Sequence, residues 1–267
     1  MPKAEQKLFL WDGEQYSTAN RLQASMGERL IRLSGLSSGM SVLDAGCGSG
    51  NLSAALARKV PQGHVLAIDL SESMIRKASE SKEAQGLKNL EFKVCGINEI
   101  EVENTFDLVF SNSVLHWVTE IEDGIQRFYR ALKLHGILSV QFPLLNEKHP
   151  MVRYARRAMR ELGLPDHLNG TSFPWYVPES AEQFSHILAN AGFQDAEVFL
   201  DSSVFSFYSS DAVLRHFDSV GLDLFAATLN EADRAAFHTQ VLDDLTADFP
   251  DKAELTYERI FARAVKA

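Results

Sequence analysis

Residues 42–50 read Val42-Leu43-Asp44-Ala45-Gly46-Cys47-Gly48-Ser49-Gly50 and settle the class of fold. The first half is a short apolar run carrying a carboxylate near its end; the second half sets glycines at 46, 48 and 50. Glycines spaced this way directly after a buried strand let the backbone turn tightly and approach a ligand closely. Dinucleotide enzymes use a similar bend to seat a pyrophosphate on a helix N-terminus. Asp44 argues against that use, because its charge repels a pyrophosphate, and the spacing is G-x-G-x-G, not G-x-G-x-x-G. A carboxylate here suits a ligand with an ammonium group.

On either side of the bend, short apolar runs alternate with helical periodicity. Val42–Asp44, His64–Asp69, Leu90–Cys95, Phe106–Ser111 and Gly136–Phe142 read as strands. Asn51–Lys59, Ser71–Glu83 and Ile121–Leu132 read as helices, the second with a serine cap. Strands alternating with helices imply parallel βαβ units and a doubly wound α/β sheet. Ahead of them, a Trp11-Asp12-Gly13 turn precedes an amphipathic segment, Tyr16–Leu33. After Phe142 the alternation breaks: helix Met151–Leu162, an aromatic loop up to Pro178, helix Ala181–Ala191 closed by Gly192, strand Ala196–Tyr208, a largely helical Asp211–Phe249, and strand Thr256–Val265. With no repeat or linker, residues 1–267 are expected to form a single domain. Its parts are an N-terminal helical segment (1–38), a Rossmann-like cofactor-binding core (39–142), and helical cap insertions over 143–195 and 209–250.

Composition narrows the function. The chain has 267 residues and a formal net charge of −10, which argues against nucleic acid or an anionic membrane surface as partner. Met1–Leu10 lacks the apolar core of a signal peptide, and no apolar run approaches the length of a membrane span. Cys47 and Cys95 are too few for a disulfide scaffold and lack metal-ligand spacing, so no metal is expected and a cytoplasmic setting is.

The second strand ends in Asp69, about 25 residues beyond Asp44, where a Rossmann-type fold places a ribose-binding acid. Paired ribose hydroxyls are donors that one carboxylate accepts together. Leu70 follows it, and Met74, one turn into the next helix, is set to lie against an adenine face. The blander readings are a helix-capping Asp69 and a core Met74. With Asp44 and the backbones of Gly46, Cys47 and Gly48, this set suits S-adenosylmethionine, which carries both an ammonium group and a ribose. Nothing cationic stands near Cys47 in sequence, so it reads as a small filler, not a nucleophile.

Asp44–Gly50, Asp69, the Phe106-Asp107-Leu108-Val109 strand and the Leu132–Gly136 turn resemble the class I S-adenosylmethionine-dependent methyltransferases. Within that family the chain is most similar to the trans-aconitate and malonyl-acyl-carrier-protein methyltransferase group, through Trp11 and Tyr16, Ser111–Trp117 and Tyr257–Phe261. The resemblance implies a seven-stranded sheet in the order 3-2-1-4-5-7-6 with the last strand antiparallel. It also implies a small acceptor, a carboxylic acid or an acyl-carrier conjugate. One departure stands out: relatives often carry an acid for the adenine amino group after strand three, and this chain has Gly96 there, leaving the backbone of Gly96 and Ile97 and the amide of Asn98.

Methyl transfer from a sulfonium needs little acid–base help when the acceptor is a carboxylate, and usually a base when it is a hydroxyl, amine or carbon. His116 is the candidate base or orienting donor, or else a packed helix-start histidine. Asn112 is a candidate for the methionine part of the cofactor. Tyr16 is a candidate cover for the sulfonium, with Gln23 a polar contact on the same segment. Trp117, Trp175, Tyr176 and Arg259 are the acceptor-side candidates, with Phe173 and Tyr257 beside them. Arg153, Arg156, Arg157 and Arg160 are spaced so that several share a helix face, which either meets a carboxylate or an acidic carrier protein or is simply solvated. The expected activity is O-methylation of a carboxylate. The rivals are N-, C- or phenolic O-methylation, a nicotinamide dehydrogenase and a non-catalytic binding module. The oligomeric state is left open, a monomer being the simplest expectation.

Overall fold

The computed structural model describes residues 18–81, 84–118, 120–168, 176–178 and 180–267, with side chains from residue 25 onward. Helix α1 (Thr18–Leu33) precedes β1 (Ser41–Ala45), α2 (Asn51–Lys59), β2 (His64–Asp69), α3 (Glu72–Ser79), β3 (Leu90–Val94), β4 (Phe106–Asn112), α4 (Ile121–Ala131) and β5 (Leu132–Pro143). Then come α5 (Pro150–Glu161), α6 (Ala181–Ala191), β6 (Phe193–Phe207), α7 (Ser210–Val220), α8 (Glu231–Asp248) and β7 (Ala253–Lys266). The strands form one seven-stranded sheet in the order β3-β2-β1-β4-β5-β7-β6. The pairs β1–β2, β1–β4, β2–β3 and β4–β5 are parallel, and β5–β7 is antiparallel. This is the architecture the resemblance implied.

The sequence dictates the central strands through residues apolar on both faces. Val42, Val65, Ala67, Leu108, Val109, Phe110, Leu138 and Val140 are fully buried, as a parallel sheet covered by helices on both sides requires. Registers Ala45↔Ile68 and Asp44↔Phe110 bring the carboxyl ends of β1, β2 and β4 to one edge of the sheet. The order reverses between β1 and β4, and a crevice opens at such a switch point.

Local departures from the expected boundaries have local causes. The helix expected over Ser71–Glu83 runs only over Glu72–Ser79, with the Ser71 hydroxyl accepting the Met74 N–H. The strand expected over Gly136–Phe142 begins earlier, at Leu132, and carries a register shift against β4. The long helical stretch after Asp211 is broken at Gly221, which takes a left-handed conformation at φ 117°.

The chain divides into two compact units. One holds Gln23–Pro143, Pro174–Asp201 and Arg259–Ala267; the other holds Met1–Leu22, Leu144–Phe173 and Ser202–Glu258. In the second unit α5 packs on α8, and Arg157 of α5 meets Glu161, Asp244 and Asp248. Also in that unit, Tyr257 is buried between the rings of His149 and His216, at 5.2 and 5.5 Å between centroids. No helix among the described residues is long and apolar enough to cross a membrane.

Candidate active site

The glycine bend leaves β1 and folds back on β2. The N–H groups of Gly46 and Cys47 both donate to the Ile68 carbonyl, at 2.8 and 2.9 Å. Gly46 stands at φ 80°, and a Cβ there would fall 2.3 Å from Cγ2 of Val114, so only glycine fits. Gly48 stands at φ 53° with nothing within 4 Å of the same point, so the backbone there opens to empty space.

Asp69 clasps this bend. Its Oδ2 accepts the Gly48 N–H and its Oδ1 accepts the Ser71 N–H, each at 2.9 Å. Each carboxylate oxygen keeps a lone pair for a further donor. Beside it, Leu70 is 72% and Met74 41% exposed, a large apolar surface left at the edge of the site. A nucleoside with an amino-acid tail needs backbone open to contact, an acceptor for two hydroxyls and apolar cover for a base. Gly48, Asp69 and the Leu70–Met74 pair fit those three needs.

Asp44 lies near the end of the buried strand β1, as its sequence position suggested. It is 2% exposed, and its carboxylate accepts the Ser53 hydroxyl of α2 at 2.6 Å. Burial pushes its pKa up to about 7; the Ser53 bond opposes the rise and the charge of Asp69 adds to it. Burial, then the charges of Asp44 and Asp69, push the Cys47 thiol far above its usual range, so it stays a thiol.

After β3, Gly96 donates its N–H to Glu99 Oε2 at 2.7 Å and precedes a single turn of 3-10 helix, Ile97–Glu99, in which Ile97 is buried. The Asn98 amide nitrogen donates to the Glu120 carbonyl and to Asp123.

At the end of β4 the structure gathers Asn112, His116, Tyr176 and Arg259 with two residues that sequence reading passed over, Ser113 and Gln141. Gln141 Nε2 lies 2.5 Å from Asn112 Oδ1 and 2.9 Å from Ser113 Oγ. Arg259, only 3% exposed, donates from Nε to Gln141 Oε1 and from Nη2 to Ser113 Oγ. His116 is 5% exposed; burial, with the Arg259 charge adding, pushes its pKa down to about 3. The Tyr176 N–H donates to the His116 carbonyl at 2.7 Å. His116 Nδ1 and the Tyr176 hydroxyl are both buried with no hydrogen-bond partner among the described residues. Trp117 is 45% exposed and its ring lies 4.8 Å from that of His116. A glutamine in the largely apolar run Ile137–Phe142 was the signal available in the sequence for Gln141.

Tyr16, Phe173 and Trp175 lie outside the described residues, as does the side chain of Gln23. The arginines of α5 line a cavity of about 690 Å³ in the unit that holds Leu144–Phe173. Two of the four are paired within that unit, Arg156 with Glu147 and Asp166 and Arg157 with its three acids. Arg153 and Arg160 are exposed. Among the described residues no group of histidines, cysteines and acids is arranged to hold a metal ion.

Comparison with known proteins follows the same lines. The chain is 32% identical over 126 residues to the malonyl-[acyl-carrier protein] O-methyltransferase of Bacillus anthracis, covering 47% of this chain and 46% of the relative. It therefore spans about half the length of that protein. It is 28% identical to the trans-aconitate 2-methyltransferase of Rhodopseudomonas palustris (strain BisB18), covering 96% of this chain and 99% of the relative. Among solved structures, the YcgJ protein of Bacillus subtilis superposes with a TM-score of 0.61 at 15% identity, covering 91% of this chain and 98% of that one, a likeness of fold. Residues 36–192 match the family model described as methyltransferase domain. The chain belongs to that family, the S-adenosylmethionine-dependent methyltransferases of class I.

Proposed function

We propose that this chain is an S-adenosylmethionine-dependent methyltransferase that esterifies a carboxylate of a small acid or of an acyl-carrier conjugate. The observation that carries the cofactor assignment is the clasp of Asp69 on Gly48 beside exposed Leu70 and Met74. In this reading Asp69 takes the ribose hydroxyls, and Leu70 and Met74 cover the base. Gly46, Cys47 and Gly48 present backbone to the amino-acid tail, with Asn112 at its side. Asp44 contributes a partly ionised carboxyl from beneath the bend, and Gly96–Ile97 contribute backbone at the base edge. When bound, S-adenosylmethionine supplies a methyl group already activated on a sulfonium, so the protein's share is positioning and exclusion of water.

The acceptor assignment is supported by the charge at the end of β4. Arg259 provides a fixed buried positive charge, and its neighbour His116, with a pKa near 3, is neutral at pH 7. A base that weak suits an acceptor already ionised at neutral pH, and a carboxylate is one. An amine or phenol needs its proton removed. In this reading His116 is a hydrogen-bonding partner that orients the acceptor, with Tyr176 and Trp117 as its walls and Arg259 steadying its charge. The relatives named for trans-aconitate and for a malonyl-carrier conjugate are consistent with such acceptors. The proposal includes one methyltransferase domain with cap insertions, acting in the cytoplasm without nucleic acid or membrane.

A methyl-donor assay across di- and tricarboxylic acids, acyl-carrier conjugates, phenols and amines tests it. A methyl ester seen by mass spectrometry is the expected product. Methylation confined to amines or phenols would move the reading to another acceptor atom, and no binding of S-adenosylmethionine would end it.

A further inference from the structure

Ser113 stands at φ 61°, in the left-handed region that disfavours every residue with a side chain. Such a backbone persists where its surroundings over-determine it. Here three hydrogen bonds do so: Ser113 N–H to the Gln141 carbonyl at 2.8 Å, Gln141 Nε2 to Ser113 Oγ at 2.9 Å, and Arg259 Nη2 to Ser113 Oγ at 2.5 Å. Gln141 is fully buried, and Arg259 holds it in turn through Nε at 2.6 Å. The residue aimed by this twist is Val114, whose methyl groups occupy the space where a Gly46 side chain would stand.

We propose that Arg259 is a positioning residue for the cofactor-binding bend. It holds Ser113 in the left-handed turn, Ser113 aims Val114, and Val114 packs Gly46 into the shape that receives the nucleoside. The inference rests on the reading of this chain as an S-adenosylmethionine-binding protein and adds to it a residue of β7 that acts without touching the nucleoside. Arginine suits the task because its planar fork reaches two acceptors at once in fixed directions, which a lysine ammonium does not.

Calorimetric titration with S-adenosylhomocysteine tests this, since it needs no acceptor and no turnover. Arg259→Met should weaken binding roughly tenfold, the scale of one or two lost buried hydrogen bonds. Combining it with Ser113→Gly should restore most of the loss, because glycine takes a positive φ unaided. In the otherwise unchanged protein, Ser113→Ala should bind more weakly, while Ser113→Gly should stay within about threefold of wild type. The amide resonance of Gly46 should shift in Arg259→Met and return in the double variant. Failure of the wild type itself to bind would remove the functional reading. Wild-type binding that Arg259→Met leaves unchanged, or a double variant no better than the single one, would overturn the positioning role. Should Arg259→Met not fold, the Ser113 pair decides alone, and equal affinities for Ala and Gly at that position overturn the proposal.

Discussion

Asp69 and Gly48 are joined by a 2.9 Å bond from the glycine N–H to Oδ2, while Oδ1 of the same carboxylate takes the N–H of Ser71. One side chain thus ties the glycine bend to the start of α3. Asp69→Ala should weaken S-adenosylhomocysteine binding by tenfold or more and cost about 1–3 kcal/mol of stability, because two N–H groups lose their acceptor. Asp69→Asn should fall between, its amide having one acceptor oxygen in place of two. Calorimetry and denaturant unfolding separate the two effects, and unchanged affinity in Asp69→Ala would remove it from the site.

Two glycines of the bend should respond differently to the same added methyl group. Gly46→Ala meets Val114 and a positive φ together, and should cost about 2–4 kcal/mol. Gly48→Ala meets open space and should cost only about 1 kcal/mol of backbone strain. Its methyl group would nevertheless stand where ligand is expected, so Gly48→Ala should fold and fail to bind. Thermal melts and titrations on both variants check the contrast.

Asp44 sets a pH dependence with a definite sign. Its carboxyl is raised from 3.8 to about 7, so between those values the folded state holds a proton that the unfolded state has released. Stability from this group is greatest at low pH and is lost as pH rises towards 7. Asp44→Asn keeps an acceptor for Ser53 and does not titrate. Its stability relative to wild type should therefore improve by about 3 kcal/mol between pH 5 and pH 8, read from unfolding curves at both.

His116 runs in the opposite direction. Its pKa falls from 6.5 to about 3, so the unfolded state binds the extra proton and this contribution to stability is lost as pH falls below 6.5. It also stays neutral across the neutral range. The rate profile should then show no limb near pH 6.5, and His116→Ala should lower turnover more than affinity for S-adenosylhomocysteine. A limb near 6.5 that vanishes in His116→Ala would restore the histidine as a proton-transfer group.

Much of this was legible in the amino-acid order because it is written in strong local patterns. Asn51–Lys59, His64–Asp69 and Ala181–Ala191 have the same bounds in the sequence reading and in the fold, each being set by apolar periodicity and flanking glycine or turn residues. The glycine bend and Asp69 were legible for the same reason: a chain segment of under thirty residues contains them both. The cluster around Arg259 was not. Ser113 follows β4, Gln141 lies near the end of β5 and Arg259 in the middle of β7, and their pairing depends on a register between β5 and β7 that no local pattern encodes. The partner of Asp44 was not legible either, because what a strand-end side chain meets depends on the packing of a neighbouring element, here Ser53 of α2. The left-handed residue is Ser113 itself, neither a glycine nor an asparagine that would mark it.

The bend itself is assembled from peptide groups. Gly46 and Cys47 are anchored by their own N–H groups to a carbonyl of β2, and Gly48 by its N–H to Asp69. The side chains at 47 and 49 make none of these three bonds, so the anchoring is carried by the backbone and by one carboxylate. A bend held through peptide groups asks for glycine at 46, where a Cβ would meet Val114, and asks little of the side chains beside it.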